Sequence, residues 1–439
     1  MKKCIFRILC LCFLPACLPL PSSNSGLENT SLPVFKTEDL NYSPSVKTVL
    51  FYPEASRQEQ SGILKPPVIF LNQSNPLVLE FDDLDEEIYD YRAKIIHCNF
   101  DWTESLLNDI EFINAFNDFQ IRDRQLSFSQ RVPFVHYRFV VPKLKISGNY
   151  VIKIYRSTDE NDLVLSRRFV VYENQVSIQP QVRFSNKPSE RDKNQQIEFT
   201  INYSNYPLSN PRDEVKVLIR QNYRWDNALR DLVPTSIREF EKVLEYNHFN
   251  LENNFKGLNE FRRFDIKSIR FLGFQVANLD VTDSLVRADL YQDQPRAEKP
   301  YIRQNDSNGG FYIYQYETGQ GTLEAEYVKV TFSIKSEEPR TRPVYVLGKF
   351  NGWIAGEDNR MRYQESKEIY SAEMWVKQGD YDYVYAELDE EKNIWDFSYF
   401  EGAFQETEND YDVLVYYRPI GARSDLVIGY KDFNSNTSR

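Results

Sequence analysis

Apolar and polar residues alternate with period two over stretch after stretch of this chain, and helical periodicity is weak throughout. In "QIEFTINYS", Ile197, Phe199, Ile201 and Tyr203 alternate with Glu198, Thr200, Asn202 and Ser204. Successive strand residues point to opposite faces, so this pattern predicts a strand with one buried and one wetted face. The same period runs through "GNYVIKIY" (148–155), "EVKVLIRQN" (214–222) and "YVKVTFSIKS" (327–336). Half-buried antiparallel sheets carry this signature. "PTSIREFEKVL" (234–244) reads either as a short helix or as a broken strand. Aromatic residues make up 15%, with 29 Tyr and 30 Phe against 3 Met, which suits pleated surfaces better than helix bundles. The expected class is all-β.

The 439 residues exceed one ordinary core, so the chain divides. Polar, turn-prone stretches at 172–181 and 291–310 predict three immunoglobulin-like or early-set β-sandwiches in tandem, spanning 41–173, 174–297 and 298–434. They would form an elongated string. Ahead of them, residues 1–17 read as a secretory signal, with Lys2 and Lys3 before a short apolar core, and 18–40 as a flexible tether. Leu14, Pro15, Ala16 and Cys17 resemble a bacterial lipobox, which makes Cys17 a candidate for lipid attachment. That would be the only link to a membrane. Cys4, Cys10, Cys12 and Cys17 all fall in the leader, so Cys98 stands alone in the body and an intrachain disulfide is excluded there. A net charge of −12 disfavours nucleic acid and anionic lipid as partners.

The chemistry-rich string "HCNFDW" (97–102) places His97, Cys98, Asp101 and Trp102 together at a predicted strand end. Adjacent strand residues face opposite ways, so His97 cannot activate Cys98. His136 and His248 are too few and too scattered to complete a metal set. Packing is the expected role of the string, with Trp102 covering the sandwich edge. Nucleophile-elbow, zincin, phosphate-loop and dinucleotide motifs are all absent, so no catalytic residue, metal or cofactor is assigned. In the third block, "VYVLGKFNGW" (344–353) leads into strands ending in Tyr381, Tyr383 and Tyr385. This resembles the early-set sandwich of glycogen-branching-type carbohydrate-binding modules. An alternative function follows, a carbohydrate-binding periplasmic lipoprotein with Trp353, Trp375 and Trp395 stacking on sugar.

Seven strings taken in order, "VKTVLFYP" (46–53), "HCNFDW", "SGNYVIKIY", "QNYRWDNA" (221–228), "NEFRRFDIKSIR" (259–270), "VYVLGKFNGW" and "TENDYDVLVYYRPIGARSDLVIGY" (407–430), resemble the type IX secretion system plug protein family. The resemblance implies a non-catalytic periplasmic protein, monomeric when free, that docks on the idle outer-membrane translocon barrel and seals it. Arg262, Arg263 and Arg270, basic groups in an acidic chain, are the expected translocon contacts.

Overall fold

The computed structural model describes residues 33–58, 63–85, 87–128, 130–319 and 321–436, and it is built almost entirely of strands. The leader, Cys17 and most of the expected tether lie outside these residues.

In the first sandwich one sheet runs Leu40–Asn41, Leu163–Tyr172, Gly148–Arg156, Tyr91–Cys98, Phe119–Gln120, with Val68–Phe70 added in parallel to Leu163–Tyr172. The facing sheet runs Val46–Pro53, Leu77–Asp83, Val135–Val140, Asp123–Leu126. Their inner faces meet through edge-on aromatic contacts, Tyr91 on Tyr137 at 4.7 Å and Phe51 on Phe169 at 5.6 Å between ring centroids. Offset and edge-on ring pairs of this kind add about 1 kcal/mol each beyond the area they bury.

The second sandwich pairs Ser177–Phe184, Asn194–Asn202, Val243–Tyr246 and Ser236–Arg238 in one sheet. Ile197, Phe199 and Ile201 are buried and Glu198 and Thr200 are not, as the alternation requires. The ambiguous 234–244 stretch is the broken strand, since Ser236–Arg238 folds back onto Val243–Tyr246. The opposite sheet is Leu229–Arg230, Val215–Gln221, Asp410–Tyr417, Leu426–Asn434. Its last two strands come from beyond the third sandwich.

Strand pairing therefore cuts across the boundary expected at residue 297. Arg262–Asp265 pairs with Gly379–Asp389, and Val276–Val281 with Val286–Leu290, which in turn pairs in parallel with Tyr327–Lys335. Residues 262–396 form the third sandwich, inserted between the two halves of the second. Local periodicity carries no information about such pairing, because one partner of Val215–Gln221, Asp410–Tyr417, lies nearly two hundred residues away (Ile219 faces Val413).

The three sandwiches do not form the elongated string expected, since each touches both others. The first meets the second where Tyr416 Oη donates to Asn149 Oδ1 (2.8 Å), Arg418 donates to Asn99 Oδ1 (2.8 Å) and Phe100 N donates to Asp425 (2.9 Å). The first meets the third where Lys377 Nζ donates to Asp82 (2.6 Å), Arg57 to Thr322 (2.9 Å) and Arg131 to Glu326 (2.8 Å). Between the second and third, Arg224 lies 4.4 Å from the centre of the Trp353 ring. The arrangement is a closed triangle.

Candidate functional site

The strings singled out in the sequence converge on the seams of this triangle. Trp102 of "HCNFDW" is buried at φ 66° and meets Trp225 of "QNYRWDNA" edge to face, with ring centroids 4.8 Å apart. Arg168 caps one end of this pair, 4.3 Å over Trp102, and Arg220 the other, 3.9 Å over Trp225. Arg220 is completely buried and grips Asp412 with two hydrogen bonds, Nε at 3.0 Å and Nη2 at 2.5 Å. Planar bidentate pairing and ring stacking are what a guanidinium does and an ammonium cannot. The series Arg168, Trp102, Trp225, Arg220 crosses from the first sandwich into the second.

Cys98 and His97 are packing residues, as expected. Cys98 is fully buried, and burial pushes its thiol up to about 12, far from a reactive thiolate. His97 meets the Tyr150 ring edge-on at 4.8 Å, and neither ring nitrogen has a hydrogen-bond partner. Burial lowers its pKa to about 4, so it stays neutral. His136 serves structure too, with Nδ1 2.8 Å from Asp82 Oδ1. Asp82 also accepts from Lys377 and from Tyr327 Oη (2.7 Å). Burial alone would raise this carboxyl, but Lys377 and His136 hold it below its ordinary value. Among the described residues no group of His, Cys, Asp and Glu could hold a metal ion, and no helix is long and apolar enough to cross a membrane.

The three expected contact arginines separate. Arg262 is not a surface group: its side chain is 9% exposed and locked between Glu401 (3.0 Å) and Asp293 (2.6 Å). Arg296 joins from the other side of Glu401 at 2.6 Å. Burial would raise the Glu401 carboxyl, yet the two guanidiniums keep it below its ordinary value, so the cluster is charged and internal. Arg263 is half exposed and committed to Asp380, at 2.6 and 2.5 Å. Arg270 alone is exposed without an ion pair among the described residues.

Arg270 opens a short apolar tip that sequence reasoning passed over. In "RFLGF" (270–274) Phe271 is 53%, Leu272 53% and Phe274 57% exposed, and Tyr316, itself exposed, meets Phe271 edge-on at 5.6 Å. The tip is held stiffly: Asp265 N donates to Phe274 O (3.0 Å), Tyr316 N to Lys267 O (2.9 Å) and Arg270 N to Ser268 Oγ (3.1 Å). Gly273 is required there, because a Cβ would sit 1.9 Å from Asp265 O. Three apolar side chains within four residues around a glycine, in a stretch with no strand alternation, was the available signal. Contiguous exposed apolar surface beside an unpaired arginine is the composition of an interface core. A second exposed apolar stretch, Leu106, Ile110 and Phe116, lies on the first sandwich.

Two of the three tryptophans, Trp353 and Trp395, are brought together, and Trp375 is not. Trp353 carries Arg224 on its ring and meets Phe261 at 5.8 Å; Trp395 Nε1 donates to the Trp353 carbonyl (3.1 Å) and its ring packs on Tyr345 at 5.3 Å. Both cover the outer side of Gly379–Asp389. Trp375 belongs to the opposite sheet, on Ile369–Lys377.

Fold and surface together define an all-β protein of interlocked sandwiches with an exposed apolar tip. A family model described as "Type 9 secretion system plug protein 1st domain" matches residues 46–173, so this stretch is similar to the first domain of that family. A crystal structure of a hypothetical protein from Parabacteroides merdae is similar over 91% of this chain and 100% of its own, at 29% identity and a TM-score of 0.85. The collagen adhesin of S. aureus aligns at a TM-score of 0.12 and 9% identity over 89% of this chain and 91% of its own, too low to carry an argument. No curated protein matches.

Proposed function

We propose that the protein is a non-catalytic periplasmic plug that docks on the idle outer-membrane barrel of the type IX secretion system and closes it. The match of residues 46–173 to the plug family carries this reading. A barrel wide enough for folded cargo has an aqueous lumen that leaks when idle, and three sandwiches locked into a triangle make a stopper that does not deform. In this reading the RFLGF tip, with Arg270 at its rim, is the translocon contact, while Arg262 and Arg263 shape the sandwich behind it. Acylation of Cys17 would hold the plug beside its channel and raise its local concentration. Nothing in the site favours the carbohydrate reading.

The test is an affinity pull-down of the tagged full-length protein from detergent-solubilised outer membranes, with mass spectrometry of the partners and of the tagged protein's N-terminus. A very large barrel protein should co-purify with wild type and be depleted at least tenfold with the variant Arg270→Glu/Phe271→Ser/Phe274→Ser. If no barrel appears with wild type, the plug reading fails. Undiminished capture by the variant would leave the plug and remove the tip as its contact.

A further inference from the structure

Between the first and third sandwiches lies a cavity of about 340 Å³, within the size range of small-molecule sites. Its wall comes from the start of Val46–Pro53, from the 349–359 loop and from the end of Ile369–Lys377. Four cations line it, Lys47, Arg167, Lys349 and Lys377, against two acids, Glu357 and Asp358, in a chain whose net charge is −12. Two of these cations are accounted for: Lys47 pairs with Asp358, and Lys377 with Asp82. Glu357, on the exposed rim, lies 3.8 Å from Arg360.

Arg167 and Lys349 have no carboxylate partner among the described residues. Arg167 donates to the Leu40 and Ser166 carbonyls (2.9 and 2.7 Å) and to Asn41 Oδ1 (2.5 Å), and Lys349 Nζ to the Leu64 carbonyl (2.8 Å). These satisfy hydrogen bonds, while the carboxylates that act on the two charges, Asp39 on Arg167 and Asp410 on Lys349, form no direct ion pair with them among the described residues. Burial holds the Lys349 ammonium down at about 8, so its charge is costly where it stands. Arg220, Arg262 and Lys377 each face a carboxylate, which the partly buried Arg167 and Lys349 do not.

Backbone strain marks the same wall. Thr48 sits at φ 49°, a conformation a β-branched residue scarcely tolerates, inside an irregular register between Lys47 and Leu50. The extra residue aims Lys47 and Thr48 at the cavity, and Thr48 Oγ1 is fixed 2.6 Å from Tyr327 Oη. Strain of this kind persists where the surroundings over-determine it and clusters at ligand sites. The partly exposed Trp375 indole completes the lining.

We propose that this cavity binds a small organic oxyanion, a carboxylate or phosphate group between Arg167 and Lys349, carried on a ring that lies against Trp375. A guanidinium and an ammonium lining one cavity offer the donors that recognise either oxyanion, and an indole face takes a ring of any chemistry. The site is distinct from the RFLGF tip, and the proposal stands independently of the docking reading.

The probes are benzoate, phenyl phosphate and, as a neutral control of the same size, benzyl alcohol. Titration calorimetry and saturation-transfer NMR on the full chain should show binding of at least one anion, weakened at higher salt, and none of benzyl alcohol. Whichever anion is tighter identifies the oxyanion. Lys349→Met should weaken that binding at least tenfold with a melting temperature within a few degrees of wild type, and Trp375→Ala should weaken benzoate or phenyl phosphate without restoring benzyl alcohol. Absence of binding by both anions, equal binding of benzyl alcohol, or an affinity unchanged in a folded Lys349→Met protein would each overturn the proposal.

Discussion

Among the described residues Arg220 is the largest side chain wholly withdrawn from solvent, and the carboxylate it pairs with is Asp412, itself fully buried. Removing one member of a buried pair strands the other, at about 3–5 kcal/mol, whereas removing both together costs far less. Arg220→Met should therefore lower the unfolding free energy by that amount in denaturant titrations, and Arg220→Met/Asp412→Leu should recover most of it. Equal losses in the single and double variants would show that stacking on Trp225, rather than charge pairing, is what Arg220 contributes. A second pair of residues sets a pH dependence. Asp382 is pushed up to about 8, first by burial and then by nearby Asp306, and Asp306 to about 7 by its own burial. Both folded-state values lie above the unfolded ones, so between about pH 4 and 8 the folded chain holds more protons than the unfolded chain and stability falls as pH rises, by at most about 1.4 kcal/mol per pH unit per group. Asp382→Asn should flatten the decline across that window when melting is followed against pH. An unchanged slope would mean that Asp382 is already ionised in the fold. Neither effect was legible in the sequence: Asp380 and Asp382 alternate with Tyr381, Tyr383 and Tyr385 and read as the wet face of a strand, yet both are buried because the 306–310 loop and Arg263 cover that face.

Strands fared better than their partners. The alternating stretches at 197–203, 214–222 and 327–336 coincide with Asn194–Asn202, Val215–Gln221 and Tyr327–Lys335, and the first and last bury every second residue as the pattern requires, whereas Val215–Gln221 is buried on both faces because Leu218 packs against Phe100 and Val170 of the first sandwich. Which strand lies beside which is decided by packing between distant segments, and so the inserted third sandwich escaped the reading. The motif strings were legible as packing, but not as packing between units. If Trp102 and Trp225 couple the first sandwich to the second, a double-mutant cycle of Trp102→Ala and Trp225→Ala should give an interaction energy of about 0.5–1.5 kcal/mol, whereas two independent tryptophans would give additive losses. Glycine marks the other local necessity. At Gly148 a Cβ would stand 2.3 Å from His97 Nε2, so Gly148→Ala should destabilise by about 1–3 kcal/mol through forced movement of a buried ring, checked by thermal melting.

At the scale of the whole molecule, the three seams convert a tandem chain into a closed body. A compact particle of this length has a radius of gyration of about 22 Å, and small-angle scattering from the folded part should give a value near it. An extended row of three sandwiches would give a distinctly larger one and would contradict the triangle. The second sandwich carries a further consequence, which concerns time rather than shape. Its sheet of Leu229–Arg230, Val215–Gln221, Asp410–Tyr417 and Leu426–Asn434 cannot close until residues synthesised after the whole third sandwich have arrived. Val215–Gln221 must wait with an open edge while some two hundred intervening residues are made and folded, since Val215 faces Tyr417 and Gln221 faces Tyr411. The Arg220 guanidinium waits with it, because Asp412 arrives on the same late strand. Completion of the chain is thereby written into its middle. A product that stops short of residue 410 is left with an unpaired apolar edge and an unmatched charge, the marks by which chaperones and proteases recognise unfinished work, so no partial copy can pass for the finished one.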